Sequence, residues 1–468
     1  MLSIDDLIRA DRDHVWHPFT QQRSWCEEEL PLVIDHADGT NLYDADGTAY
    51  IDGVSSLWCN VHGHRHPAID QAIRDQLDRV AHSTMLGLTH EPAIELARRL
   101  VEITPPGLTR VFYSDSGSTA VEVALKMVYQ WWVQHSEPQR TGFICLQNAY
   151  HGDTLGAVSV GGIETFHSLY RPLLFDAWQA RAGDAGHLEQ LLVEHGDRVA
   201  AVILEPLIQG AAGMLTMPSG FLARTRELCD EHGVLLICDE VATGFGRTGA
   251  MFACDREDVS PDLMCVGKGL TGGYLPLAAT LTTERIYDGF LGHPKELRTF
   301  FHGHTFSGNP LGCAAGIATL QTFERERTIE RSLAKIALLT RLLDERVAPL
   351  PGVAEVRQCG LMVGIDLHPG DALGNRVTLA ARRRGAVIRP LGDVIVLMPA
   401  PAMSAGDIDR LVGITTASIA AATAGSDGAT SVSRGAPLSG AASLSAAASL
   451  SGAASLSGAA SLSGAATV

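Results

Sequence analysis

The 468-residue chain has no pair of cysteines at metal-ligand or redox spacing and no surplus of positive charge. Its nine cysteines stand singly, at positions 26, 59, 145, 229, 238, 254, 265, 313 and 359, with no CxxC among them. An odd, unpatterned set excludes a disulfide framework and indicates a reducing compartment. Cys145, Cys238 and Cys265 lie inside apolar runs and read as small buried hydrophobes. A net charge of −17 argues against nucleic acid or an anionic membrane as partner, since neither attracts an acidic protein. Outside a Ser/Ala/Gly/Leu tail, no uncharged apolar run is long enough to span a bilayer. The opening MLSIDDLIRADRDHVW is charged and lacks an apolar core, so no signal peptide is visible and a cytoplasmic protein is expected. A P-loop is missing too. Lys268 sits in GKGLTGG after DLMCV, which does not fit GxxxxGK[ST].

What is present is concentrated in residues 235–273, LLICDEVATGFGRTGAMFACDREDVSPDLMCVGKGLTGG. One apolar run delivers Asp239 to its end, and a second delivers Lys268 into a glycine-rich turn. An amine held in a partly dry pocket loses its proton readily and can form a Schiff base. A carboxylate at a strand end can keep a pyridine nitrogen protonated, which makes the ring an electron sink. The pair points to pyridoxal phosphate. The competing reading is a nucleotide-binding α/β protein whose lysine touches phosphate.

Hydrophobic content of 46% with 19% charged residues is that of a globular protein, and the length allows two or three domains or one elaborated one. Short apolar runs, VFYSDSG (111–117), GFICLQ (142–147), AAVILEP (200–206), GVLLICDE (233–240) and DLMCVGK (262–268), alternate with helical patterns such as TAVEVALKMVYQWW and GFLARTRELCDEHG. That alternation predicts an α/β fold with a mainly parallel sheet covered on both faces. Its chemistry-bearing residues then lie just past strand C-termini, where such sheets bind ligands. Near the N-terminus, VIDHADGTNLYDADGTAYID carries two strands with hairpin-type DG turns, and GLMVGIDL and AVIRPLGDVIVLMP read as strands near the other end. We expect residues 1–60 and 319–423 to form a smaller α+β domain around a large domain at 61–318. From residue 424 the composition collapses to a repeating LSGAAS, too poor in bulky apolar groups to offset its ordering entropy; disorder is expected there, with a short β-solenoid as the alternative.

Ser116, Gly117 and Ser118 stand between a strand and a helix N-terminus, a ready anion site for a phosphate. Capping of the helix is the other use of those serines, and both can hold at once. Tyr150, in NAYHGDTLG, can stack on a planar ring, with Asp153 beside the ring or orienting a neighbour; a core aromatic is the plainer reading. Thr305, in HGHTFSGNPLG, offers a further phosphate-binding loop. The histidines of HGHRH (62–66) sit at alternate positions, but no carboxylate or cysteine at ligand spacing supports a metal, and none is expected.

The order SGSTAVEVALK, YHGDT, EP at 205–206, DEVATGFGRTG, GKGLTGG and HGHTFSGNP resembles the class III pyridoxal-phosphate-dependent aminotransferases, over residues 1–420. The resemblance implies the fold-type I architecture, with a seven-stranded sheet. It makes Lys268 the Schiff-base lysine and the acid/base, and Asp239 the partner of the pyridinium nitrogen. Val241 then packs on one ring face and Tyr150 on the other, while Gly117, Ser118 and Thr305 hold the phosphate. In this family the threonine comes from the other subunit, so a homodimer is implied. Arg389, in VIRPLG, matches an arginine that holds a substrate carboxylate, with a structural ion pair as the alternative. Arg247 is placed near the site in a structural or gating role.

WHPFTQ (16–21) and DGVSSLWCNVHGHRHP (52–67) are similar to the branch that converts 7-keto-8-aminopelargonate to 7,8-diaminopelargonate in biotin synthesis. By that resemblance Phe19, Leu57, Trp58, Tyr150, Gly303 and Arg389 line the substrate site. Members using S-adenosylmethionine as amino donor commonly have tyrosine, tryptophan and tyrosine where this chain has Phe19, Leu57 and Val396. The loss of those groups removes hydrogen bonding and stacking surface for an adenosyl sulfonium. L-Lysine, through its ε-amino group, is therefore the expected donor. The rival assignment is another class III ω-amino acid aminotransferase using pyruvate or 2-oxoglutarate.

Overall fold

Seven strands form the central sheet of the computed structural model, which describes residues 3–27, 31–370 and 372–424. In spatial order they are Leu108–Ser114, Ala278–Thr283, Leu263–Val266, Leu235–Asp239, Val199–Leu204, Gly142–Leu146 and Ala177–Ala180. All run parallel except Ala278–Thr283, which is antiparallel to both its neighbours. This is the mainly parallel α/β sheet expected. Two of its strands escaped the sequence reading for different reasons. Ala177–Ala180 is a short, half-polar edge, and Ala278–Thr283 is built of small residues and threonines without a bulky apolar run.

Continuous burial of these strands follows from helices on both faces. Phe143, Cys145, Leu235 and Ile237 point into a core shared with helix Gly117–Gln134, while Ile144, Leu146, Leu236 and Cys238 point into the core on the opposite face. The period of two puts Asp239 on the same face as Leu235 and Ile237, under that helix. Each fully buried aliphatic side chain contributes about 1.5–3 kcal/mol relative to exposure, so this framework is rigid where the chemistry sits.

Two smaller sheets flank the central one. The N-terminal segment forms three strands rather than two, Ile34–Asp38, Asn41–Asp44 and Ala49–Asp52, because each DG turn closes its own hairpin with glycine at positive φ (Gly39 at 55°, Gly47 at 81°). Ala386–Val387 adds to Ala49–Asp52 in parallel, pairing Val387 with Asp52. The run AVIRPLGDVIVLMP (386–399), read as strand, is broken: beyond Ile388 it continues as Arg389–Leu391 and Val394–Leu397, in a sheet with Met362–Leu367 and Val353–Cys359. Pro390, which cannot donate to a ladder, lies on the edge strand of that sheet. Helix Ala405–Ala424 closes the described chain; the repeat tail beyond it lies outside the described residues. Among the described residues no helix is long and apolar enough to cross a membrane.

Candidate active site

Asp239 is the last residue of its strand and is buried. Its Oδ2 accepts a hydrogen bond from Nδ1 of His151 at 2.7 Å and its Oδ1 accepts the Val241 N–H at 3.0 Å. Both carboxylate oxygens are thereby fixed in direction. His151 is itself buried, and its Nε2 has no partner among the described residues. The proton on Nδ1 is assigned by chemistry, since a carboxylate with no proton can only accept.

Lys268 follows strand Leu263–Val266 by two residues and opens the short turn Lys268–Thr271 with φ of 42°, a left-handed conformation unusual for a lysine. Its Nζ makes no hydrogen bond or ion pair among the described residues and lies 5.1 Å from the centre of the Trp58 ring. Burial pushes its pKa down, against the nearby Asp239 and Glu205 carboxylates, which favour the charged form. The result is a half-buried amine more readily neutral than an exposed lysine.

Glu205 completes this inner cluster. It is buried, and its carboxylate accepts the backbone N–H groups of Tyr150 at 3.1 Å and Gly210 at 3.0 Å. Burial raises its pKa to about 7, an effect that His151 opposes and Asp239 reinforces. Tyr150 donates its hydroxyl to Asp153 Oδ2 at 2.7 Å, and burial with that bond raises the phenol's pKa. Phe166 stands edge-on to Tyr150 at 6.4 Å and to Phe19 at 5.4 Å.

Helix Gly117–Gln134 begins beside Val241. A side chain on Gly117 would bring its Cβ to 2.5 Å from a Val241 methyl carbon, so only glycine fits there. Ser116 is the N-cap, accepting the Thr119 N–H at 3.3 Å, while the Thr119 hydroxyl accepts the Ser116 N–H. Ser118 Oγ accepts the Thr154 N–H at 3.0 Å and lies 2.8 Å from Thr154 Oγ1. Gly152, at φ of 115°, sits so close that a Cβ would meet Ser118 Oγ at 2.3 Å. The first N–H groups of a helix have no intrahelical acceptor, so those of Gly117 and Ser118 are available to an anion.

Arg389 lies on the edge strand Arg389–Leu391, half-buried, and its guanidinium makes no hydrogen bond or ion pair among the described residues. Burial lowers its pKa, and Tyr150 is near enough to oppose that shift. Arg247 differs: it is fully buried and donates to Ser55 Oγ, Pro399 O and Asn60 O, three neutral acceptors. Burial brings its pKa down to about 10. Phe19 and Leu57 are exposed, whereas Val396 is buried with Trp58, Met362 and Met398. Gly303 and Thr305 lie in an exposed loop and make no hydrogen bond among the described residues; in this chain they do not join the cluster around Lys268. The histidines of HGHRH have separate partners, Thr319 O for His62, Asp52 for His64 and Glu326 for His66.

The family model described as Aminotransferase class-III matches residues 24–419. The chain belongs to the class III aminotransferases. It is 53% identical over 452 residues to adenosylmethionine-8-amino-7-oxononanoate aminotransferase of Nitratidesulfovibrio vulgaris, covering 90% of this chain and 83% of that one. Among solved structures, adenosylmethionine-8-amino-7-oxononanoate aminotransferase of Methanocaldococcus jannaschii is similar at 43% identity and a TM-score of 0.87, over 89% of this chain and 99% of that one. A PLP-bound amine transaminase from an uncultivated Pseudomonas species is similar at 34% identity and a TM-score of 0.81, over 87% and 99%.

Pyridoxal phosphate is the cofactor of this class III aminotransferase, and the residues present fit it. An amine without an internal partner, a buried carboxylate oriented by His151, and a helix N-terminus where glycine is sterically required meet the demands of an aldehyde, a pyridine nitrogen and a phosphate. His151, Glu205 and Phe166 were missed as site residues by sequence reasoning. The YH and EP pairs were visible, but nothing in the order of residues joins positions 88 apart, as His151 and Asp239 are.

Proposed function

We propose that this aminotransferase moves an amino group onto the ketone of 7-keto-8-aminopelargonate, giving 7,8-diaminopelargonate, with L-lysine as donor. The observation that carries the reading is the 53% identity to a protein named for that acceptor, over nine-tenths of this chain. Arg389 supports it. A half-buried guanidinium with no internal carboxylate is suited to the free carboxylate at the far end of such an acceptor.

Bound pyridoxal phosphate supplies an electron sink for the carbanion that forms when a proton leaves the amine-bearing carbon. Lys268 would supply the amine that holds the cofactor's aldehyde and, when free, the base that moves that proton. Asp239, its two oxygens aligned by His151 and the Val241 N–H, would keep the ring nitrogen protonated. Val241 and Tyr150 would flank the ring, and the N–H groups of Gly117 and Ser118 would hold the phosphate. We assign Thr305 to the phosphate of the opposite subunit in a homodimer, which accounts for its exposure here. Exposed Leu86, Leu88, Phe301 and Phe306 are apolar surface of the kind such an interface covers. Residues 61–318 then form the large, cofactor-binding domain, with 1–60 and 319–423 as the small one. Nine free cysteines suit the reducing cytoplasm.

Purified enzyme supplied with 7-keto-8-aminopelargonate and L-lysine should form 7,8-diaminopelargonate, and its visible cofactor band should fade with lysine but not with S-adenosylmethionine. Fading with the sulfonium alone overturns the donor; turnover with pyruvate or 2-oxoglutarate but not with 7-keto-8-aminopelargonate overturns the acceptor. Phe19 and Leu57, both exposed, and Val396, packed beside Trp58, support the lysine reading, because none of the three offers a hydroxyl or an indole to an adenosyl sulfonium. Arg389→Ala should raise KM for the acceptor about 10- to 100-fold, the worth of a hydrogen bond to a charged group, with a smaller change in kcat. Steady-state kinetics at varied acceptor checks this.

A further inference from the structure

Ser55, Ser56, Leu57 and Trp58 take φ values of 51°, 47°, 69° and 71° in succession. Left-handed backbone crowds Cβ against the carbonyl in every residue but glycine, and four non-glycine residues in a row are rare. The turn is closed by main-chain bonds from Trp58 N–H to Val54 O at 2.8 Å and Cys59 N–H to Ser55 O at 3.0 Å. Those bonds alone do not select the left-handed form over a relaxed one. Something outside the turn must hold it.

Ser55 is tied by its hydroxyl to Met398 O at 2.6 Å and by Arg247, and the next residue, Ser56, is held by a buried acid. Asp52 ends strand Ala49–Asp52 and is 3% exposed. Its Oδ1 accepts the Ser56 N–H at 2.9 Å, and its Oδ2 accepts both the Ser56 hydroxyl at 2.7 Å and His64 Nε2 at 3.0 Å. His64 is fixed in turn by main-chain pairing with Gly39, at the turn of the first hairpin. The product of the strain is the placement of Trp58. Its indole packs on Gly210, where a Cβ would come within 2.9 Å of the ring, and lies 5.1 Å from Lys268 Nζ. Its Nε1–H is buried without a partner among the described residues. The strand paired with Asp52 through its main chain, Ala386–Val387, leads within two residues to Arg389.

We propose that Asp52 and His64 are positioning residues that hold the Ser55–Trp58 turn in its left-handed form, and that this turn seats the Trp58 indole against the Lys268 amine. Neither touches the cofactor or substrate; both act through Trp58. When the acid is lost the turn relaxes, the indole leaves Lys268 and water reaches the amine.

The test reads Lys268 in cofactor-free protein, by the pH profile of its acylation followed by peptide mass spectrometry. Asp52→Asn, which leaves three donors facing an amide, should shift that profile to higher pH, toward an ordinary lysine, and the cofactor-loaded enzyme should turn over at least about tenfold more slowly. His64→Leu should move the profile in the same direction, and His64→Gln, which keeps a side-chain N–H, should restore most of it. A folded Asp52→Asn protein with a native Lys268 profile overturns the proposal. If Asp52→Asn fails to fold, the histidine pair decides: the proposal stands if His64→Leu shifts the profile and His64→Gln does not, and falls if the two are alike.

Discussion

Lys268→Ala should bind pyridoxal phosphate yet lose transamination by at least about 10⁴-fold, the upper range for removing a positioned acid/base. The size of the effect follows from the isolation of the amine. No other lysine lies in the cluster formed by Asp239, Glu205, His151, Tyr150 and Trp58, and none of those five can replace an amine that both bonds to an aldehyde and carries a proton. Burial lowers the pKa of Lys268, so a larger share of it is the neutral nucleophile at neutral pH than an exposed lysine would supply. The companion readout is spectroscopic: the visible band of the loaded enzyme should vanish in Lys268→Ala, while phosphate-dependent retention of the cofactor persists through the helix N-terminus at Gly117. A variant that keeps the band and its turnover would remove Lys268 from the chemistry altogether.

Much of this site was legible in the order of residues, because its strongest signals are local. Asp239 and Lys268 each follow an apolar run, and continuous apolar runs become buried parallel strands whose ends carry ligands. Ser116–Gly117–Ser118 announced a helix start, and the structure gives the capping role to Ser116 and the steric one to Gly117. What escaped was of two kinds. Strand Ala278–Thr283 owes its place to pairing on both sides, not to its own hydrophobicity, and so gave no apolar run to read. Partnerships across sequence, such as His151 with Asp239, depend on which strand ends the fold brings together, and even Asp52 with His64 depends on the hairpin that holds His64 against Gly39. Val396 shows how far the two-residue period carries: it turns this side chain to the Trp58 face of its strand, while Ile395 and Leu397 turn to the other core.

Asp239→Asn should lower kcat by about 10³-fold, or roughly 4 kcal/mol of barrier, while the Lys268-dependent visible band remains. The two oxygens of Asp239 are engaged by His151 Nδ1–H at 2.7 Å and by the Val241 N–H at 3.0 Å. An asparagine offers one acceptor and one NH₂ donor in the same space, so His151 must move its proton to Nε2 to accept from that amide, or a buried N–H faces another donor. The side chain also loses the negative charge that keeps a ring nitrogen protonated in a site where burial disfavours charge. Formation of the bond to Lys268 needs no such proton, because it stores no negative charge in the ring, whereas departure of the substrate proton does. The loss should therefore fall on kcat and kcat/KM together, with KM nearly unchanged, which single-turnover kinetics of the donor half-reaction can read. Asp239→Glu separates the causes: it keeps the charge and shifts the oxygens, so recovery of part of the rate there assigns the effect to charge. Equal loss in both variants assigns it to the geometry that His151 and Val241 impose.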